Sequence, residues 1–403
     1  MSIATQIGAE HILANAEEFA DRLAAKAEAM DRSGKFDKEI LDEGAARGFV
    51  KLIFNDDLEL DLSRMPLVHE VTERIASVCP PVAMELGVMR LVSYLLSRFA
   101  RPEVRDRWLK PTIEGQAYGS FALTEPHAGT DLRGMTTVAR REGDNYILNG
   151  QKCWVGFAPV ASYAIVLCKQ ESTERNAPTL ALVVDMSSPG AKGEPGPELS
   201  GFRGLSNGKL SFDNVVVPVG NALQVDGFAG MMDGLNMARI DAASYSCGIL
   251  RAALEVSVER ATTRSAFGKR IGDLPSIQIK LGRMRAAYHA ARELAMRATE
   301  TYMLGNGGDQ DIISIAKMTA SDLAREHTDQ AMQIFGASGL IAYSRVERLH
   351  RDAKATQIFD GTSEIHETML GRRLVNAFAK DGHSGSFMPS WKTGRTTETP
   401  TGA

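Results

Sequence analysis

The stretch SFALTEPHAGTDLRGMTTVARREGDNYILNGQKCWV, Ser120–Val155, decides how the chain is read. Phe121-Ala122-Leu123 is an apolar run that passes through Thr124 and is then broken by Pro126 and Gly129, with Thr130 and Asp131 following. Alternating β-formers come next, and Asn149-Gly150 lies between two strand-like runs, a short-range hairpin signal. A loop held open by Pro and Gly, with backbone N–H groups and Thr hydroxyls around it, suits a polar planar ligand. Trp154 is placed to cover an aromatic face of such a ligand. On local chemistry alone, a β-hairpin with a structured loop explains the stretch equally well.

On either side the character is different. Ile12, Ala16, Phe19 and Leu23 keep one apolar face at spacings of three and four, so residues 10–50 are predicted helical. Helix continues over 65–117 apart from a break at Pro80-Pro81, with Pro81 suited to a first turn. From 118 to about 218 the runs are short and β-rich, and the Gly/Pro stretch SSPGAKGEPGPELSGFRG is predicted to be loop. After Phe228 the helical pattern returns and persists to about 380. Its longest face carries Ile277, Leu281, Met284, Tyr288, Ala291, Ala295, Ala298 and Tyr302. Residues 381–403 have little to bury and read as a mobile tail. The expected fold is mainly α with a central β domain: helical domain 1–117, middle β-barrel 118–228, helical bundle 229–380.

At 403 residues, 44% hydrophobic and 24% charged, the chain has the composition of an ordinary globular protein with more than one core. A net charge of −4 argues against nucleic acid as the main partner. The four cysteines have no CxxC spacing and the histidines no metal spacing, so no disulfide framework and no metal are expected. No segment reaches ~18 apolar residues and the N-terminus lacks a signal-peptide pattern. A cytoplasmic protein that does not span a membrane is expected. There is no GxGxxG after a strand and no GxxxxGK[ST], which leaves Rossmann and P-loop nucleotide sites unsupported.

Two further stretches carry chemistry. In Ile358-Phe359-Asp360-Gly361-Thr362 an acid follows two large apolar residues, a setting that desolvates a carboxyl and raises it toward the range useful for proton abstraction. A helix cap or turn residue is the other reading of Asp360. Arg264-Ser265-Ala266-Phe267-Gly268-Lys269-Arg270 is either a solvated charge run or a phosphate clamp.

Taken together and in order, six segments resemble the acyl-CoA dehydrogenase family: FALTEPHAGTD (121–131), LNGQKCWV (148–155), FRG with LSFDNVVVP (202–218), RSAFGKRI (264–271), QIFGASG (333–339), and RDAK with IFDGTSEI (351–365). The resemblance covers nearly the whole chain up to about residue 375. It implies an N-terminal helical domain, a middle β-barrel, a C-terminal four-helix domain, bound FAD and a homotetramer. It assigns Phe121, Leu123, Thr124, Thr130 and Trp154 to the flavin. Arg264, Phe267 and Gln333 are assigned to the pyrophosphate and adenosine of a neighbouring subunit's FAD, and Thr362 and Glu364 to further positions near the cofactor. The implied reaction is α,β-desaturation of an acyl thioester, on CoA or a carrier protein, with an electron-transfer flavoprotein or oxygen as oxidant.

Asp360 falls where the family usually has Glu and is the expected base, its carboxylate one methylene shorter. Ala238 stands where some members carry the base on a helix instead, with Asp241 one turn further on. Arg90 lies in the helical stretch that in the family lines the acyl pocket, where it either pairs with a polar group of the substrate or reaches solvent from the helix edge; Arg239 is expected to buttress the base, and Gly361 to border the substrate. Gly156 replaces a common Thr or Ser beside the flavin; Pro275 and Ala337 replace a common Gln and Gly. With Asp360, Gly156 motivates an alternative, a flavin oxidase or oxygenase of the nitroalkane-oxidase kind acting on a non-thioester substrate.

Overall fold

The computed structural model describes residues 3–172, 177–305 and 307–381, with side chains from residue 8 to residue 380. The tail expected for 381–403 lies outside the described residues from 382 onward.

Five helices open the chain: α1 (Ile3–Ser33), α2 (Lys38–Ala46), α3 (Met65–Ala76), α4 (Pro80–Phe99) and α5 (Pro102–Ile113). Three of them begin at or next to a proline, where the missing N–H is not needed. The apolar face of α1 buries Ala16, Phe19 and Leu23. Helix α4 is buried almost all round, as expected of a helix enclosed by other elements.

A curled seven-stranded sheet follows: β1 (Gly119–Ala122), β2 (Val138–Glu142), β3 (Asn145–Gly156), β4 (Tyr163–Gln170), β5 (Thr179–Asp185), β6 (Ala191–Pro195) and β7 (Asn207–Pro218). Its order is β1-β4-β2-β3-β7-β6, with β5 on β4. Pairing is antiparallel except that β4 runs parallel to both β1 and β2. Its own core gathers Leu148, Val166, Leu182, Leu210 and Val215.

Two local expectations are corrected here. Asn149-Gly150 is not a hairpin turn but lies inside β3, where Gly150 packs on the backbone of Thr137 and marks a register shift against β7. The turn between β2 and β3 is Gly143-Asp144, with Gly143 at φ +57°. The Gly/Pro stretch is likewise not all loop. Its residues 191–195 pair with β7 as the edge strand β6, with Pro195 at the end of the pairing, where an edge strand tolerates proline.

The remainder up to residue 363 is helical: α6 (Gly227–Thr263), α7 (Pro275–Met303), α8 (Gln310–Phe335) and α9 (Arg345–Thr356). Between α6 and α7, Ser265-Ala266 pairs with Lys269-Arg270 in a short ribbon. The predicted face of α7 buries Met284, Ala291, Ala295, Ala298 and Tyr302. Residues from 364 form a separate unit, of which the described part belongs to α10 (Ser363–Asp381). Among the described residues no helix is long and apolar enough to cross a membrane.

Candidate active site

The loop after β1 is fixed from below by a buried ion pair. Lys152, on the inward face of β3 with Tyr146 and Leu148, is 0% exposed. Its Nζ donates to the Leu123 carbonyl and to Glu125 Oε1, each at 2.8 Å. Glu125 also accepts from the Thr136 N–H (2.6 Å), the Thr136 hydroxyl (2.8 Å) and the Thr137 N–H (3.0 Å). Burial opposes its charge, but these hydrogen bonds outweigh it and hold the carboxyl down to about 2. One residue on, the Cys153 N–H donates to the Thr124 carbonyl at 2.9 Å.

Opposite this anchor, β3 bulges. The register against β7 shifts between Cys153 and Val155, and Trp154 takes φ +57°, which projects its indole outward at 59% exposure. Phe121 and Thr124 are partly exposed beside it, Thr130 is exposed, and Leu123 is packed into the core. An exposed indole one residue on from the Cys153 N–H that holds the Thr124 carbonyl, on a chain that also exposes Thr130, offers an aromatic face and polar side chains, residue types that suit a flavin. Gly156 has no protein atom nearer its absent Cβ than Val88 Cγ2 at 3.8 Å.

The turn carrying Asp360 follows α9. Asp360 sits at φ +57° and Gly361 at φ +103°. A non-glycine residue held in the left-handed region needs outside support, and two cations provide it. Arg239 Nε donates to the Asp360 carbonyl at 3.1 Å, and Lys317 Nζ, on α8 and fully buried, to the Gly361 carbonyl at 2.6 Å. The Asp360 side chain makes no ion pair among the described residues. Burial pushes its carboxyl up to about 6; Lys317 and Arg239 pull against this and Asp241 adds to it. The result is a carboxylate available as a base near neutral pH. Thr362 is partly exposed in the same turn, and Glu364 stands in the first turn of α10.

Beneath the turn lies a polar floor. Phe359 meets the ring edges of Phe202 (5.3 Å) and Tyr245 (6.4 Å). On α4, Gly87 leaves room that the Tyr245 hydroxyl and Asp241 Oδ2 fill: a Cβ there would sit 2.8 Å from the Asp241 oxygen and closer still to the hydroxyl. Arg90, 2% exposed, donates from Nη2 to both Asp241 oxygens at 3.1 Å and to Thr72 Oγ1 at 3.0 Å. Its charge is therefore taken up inside the protein, by the very acid that competed with Asp360 as a base. Asp241 remains pushed up by burial, with Arg90 opposing.

Arg264, Phe267 and Gln333 gather elsewhere. They are exposed, Phe267 at 91%, around the end of α6 and the turn after α8. Arg260 joins those segments, lying over Phe335 at 5.4 Å and donating to Ser338 Oγ at 3.5 Å. No hydrogen bond or ion pair among the described residues links them to the loop at 121–131.

Sequence reasoning overlooked Lys152, Tyr245, Glu85 and Lys317. A signal existed for Lys152: it shares strand parity with Tyr146 and Leu148, so alternation alone sends a lysine inward. Glu85 and Asp352 are buried acids that accept the Ser206 N–H (2.8 Å) and Phe202 N–H (2.6 Å). Burial raises them to about 8 and about 7. They tie down the loop that brings Phe202 against Phe359.

Three family models match the chain: acyl-CoA dehydrogenase N-terminal domain over 8–116, middle domain over 120–215 and C-terminal domain over 225–375. The cyclohex-1-ene-1-carbonyl-CoA dehydrogenase of Geobacter metallireducens is 34% identical over 310 residues, 76% of this chain and 81% of that protein. The caffeyl-CoA reductase–Etf complex subunit of Acetobacterium woodii is 31% identical over 351 residues, 86% and 92% of the two chains. Among solved structures, butyryl-CoA dehydrogenase of Megasphaera elsdenii superimposes with a TM-score of 0.85 at 31% identity, covering 91% of this chain and 98% of that one.

Proposed function

This chain belongs to the acyl-CoA dehydrogenase family, and from that premise we propose that it is an FAD-dependent enzyme that desaturates an acyl-CoA between Cα and Cβ, with Asp360 as the base. The observation that carries the assignment of the base is the Asp360 turn: a carboxyl at about 6, without an ion pair among the described residues, on a backbone pinned by Arg239 and Lys317.

FAD, when bound, would supply the hydride acceptor for the β-hydrogen. The protein supplies the rest. Asp360 takes the α-proton onto its carboxylate, and the Cα–H electron pair becomes the new Cα=Cβ bond as the β-hydrogen departs. The Asp360 N–H donates to no acceptor among the described residues and would be available to the thioester carbonyl, whose oxygen gains charge as the α-proton leaves. Gly361, at φ +103°, lets the chain turn next to the base and would border the substrate. Phe121, Leu123, Thr124, Thr130 and Trp154 would seat the flavin ring; the family resemblance also assigns Thr362 and Glu364 to the cofactor. Arg264, Phe267 and Gln333 of a second copy hold its pyrophosphate and adenosine, which makes the working unit an oligomer, a homotetramer by family resemblance. Arg90 acts from beneath, engaging both Asp241 oxygens so that Asp241 is occupied in that pair and Asp360 is left as the base.

The boundaries at 117, 228 and 380 serve as working limits of the three domains. An electron-transfer flavoprotein as oxidant is supported by the Etf-linked relative. A cytoplasmic location and a carrier-protein thioester in place of CoA belong to the same proposal.

A second reading rests on Gly156, where no side-chain hydroxyl stands beside the flavin seat. On this reading the enzyme is an oxidase that returns its electrons to oxygen. Reoxidation of the dithionite-reduced protein separates the two, whatever the substrate. Slow reoxidation in air with fast turnover on an electron-transfer flavoprotein is expected; rapid reoxidation by air alone would favour the oxidase.

A further inference from the structure

The buried pair Glu125–Lys152 lies between the two surfaces assigned above to the flavin, and this inference rests on that assignment. On one side Lys152 Nζ holds the Leu123 carbonyl at 2.8 Å while the neighbouring Cys153 N–H holds the Thr124 carbonyl at 2.9 Å. With both carbonyls turned toward β3, the loop's Thr124 side and the chain beyond it are left to face outward. On the other side, two residues from Lys152, the β3 bulge turns Trp154 out of the sheet. Glu125 locks the arrangement: one oxygen meets Lys152 and the Thr137 N–H, the other the Thr136 N–H and hydroxyl. Every acceptor direction of the carboxylate that faces the protein is used.

From this geometry we infer that Glu125 and Lys152 are positioning residues for the cofactor: they set the gap between the Leu123–Thr124 loop and the Trp154 indole, and so the seat of the isoalloxazine ring. A fold needing only a filled interior here would be served by two apolar side chains of similar volume, which are often as stable as a buried ion pair. What apolar residues cannot supply is the tether from β3 to the Leu123 carbonyl. Neither side chain touches the ring in this scheme; both act through the loop.

The test uses the full-length holoprotein, stripped of FAD and titrated with FAD by flavin fluorescence, together with visible circular dichroism at saturating FAD. Single variants K152M and E125Q lower the melting temperature, because each leaves a buried polar partner unsatisfied. The double variant E125L/K152M restores much of that stability. It nevertheless binds FAD about tenfold more weakly, equal to about 1.4 kcal/mol of lost preorganisation, and shows an altered visible dichroism band. Wild-type FAD affinity with an unchanged dichroism band in the double variant would overturn the inference and leave the pair a purely structural one. If the double variant does not fold, E125Q carries the test: a weakened, spectrally altered flavin supports the inference and an unchanged one overturns it. A wild-type chain that takes up no FAD would sink the flavin assignment itself, an outcome distinct from any seen only in the variants.

Discussion

Replacing Asp360 by asparagine should make the protein more stable and nearly inactive at once. The carboxyl is raised from 3.8 to about 6, a difference of about 3 kcal/mol between its two protonation states. The folded protein therefore binds the Asp360 proton more tightly than the unfolded chain does. This group's contribution to stability is complete below about pH 4 and is lost as pH rises through about 6. Asn has the shape of the neutral acid and carries no such dependence. At pH values well above 6, Asp360→Asn should gain up to about 3 kcal/mol over wild type, and the two should converge in acid. Catalysis moves the other way: without the base, flavin reduction by substrate should slow about 10²–10⁴-fold. In wild type the same step should accelerate as pH rises through about 6, since only the carboxylate accepts the α-proton. Urea unfolding across that pH range and anaerobic stopped-flow reduction measure the two effects on one pair of proteins. A variant that still reduces its flavin within a few-fold of wild type would refute Asp360 as base. A variant less stable than wild type at alkaline pH would refute the electrostatic reasoning beneath it.

Three further outcomes follow from the surrounding groups. Arg90→Met leaves Asp241 buried without its cation and should cost about 3–5 kcal/mol; adding Asp241→Leu should recover most of this in urea unfolding, and no recovery would mean that the pair is not coupled. Glu85 and Asp352, raised from 4.5 to about 8 and from 3.8 to about 7, each favour the fold fully in acid. Each loses that contribution as pH climbs through those values, at about 1.4 kcal/mol per pH unit. Glu85→Gln with Asp352→Asn should flatten the stability profile between about pH 4 and pH 8; an unaltered slope there would count against buried titration. Gly87→Ala places a methyl against the Tyr245 hydroxyl and 2.8 Å from Asp241 Oδ2. It should cost about 1–3 kcal/mol through overpacking, with Tyr245→Phe relieving part of the loss, and a neutral Gly87→Ala would show that the floor yields.

Much of the fold was legible because helices and motifs leave local traces. The spacing of Ile12, Ala16, Phe19 and Leu23, and of Met284 through Tyr302, is set by one helical period. The motif at 351–365 identified the turn whose strain now accounts for Asp360. Other features were not legible, because their causes are distant in sequence. Arg90 and Asp241 are 151 residues apart, and nothing near Arg90 announces that its charge is spent inside the protein. Asn149-Gly150 carries the chemistry of a turn, yet the Thr137 backbone lying against Gly150 made a strand position of it, and Gly143-Asp144 took the turn. Residues 191–195 look like loop by composition, but a free edge of β7 recruits them. The residue types proposed for the flavin seat stand plainly in the sequence; Lys152 beneath Leu123 appears only once the strand's two faces are distinguished.

Anaerobic titration of the yellow holoprotein with a panel of acyl-CoAs, followed in the flavin's long-wavelength absorbance, bears most directly on whether this chain dehydrogenates acyl thioesters. Bleaching by at least one thioester, abolished in Asp360→Asn while FAD stays bound, is the predicted result. A flavin that stays oxidised with every thioester offered, on CoA or on a carrier protein, would contradict it.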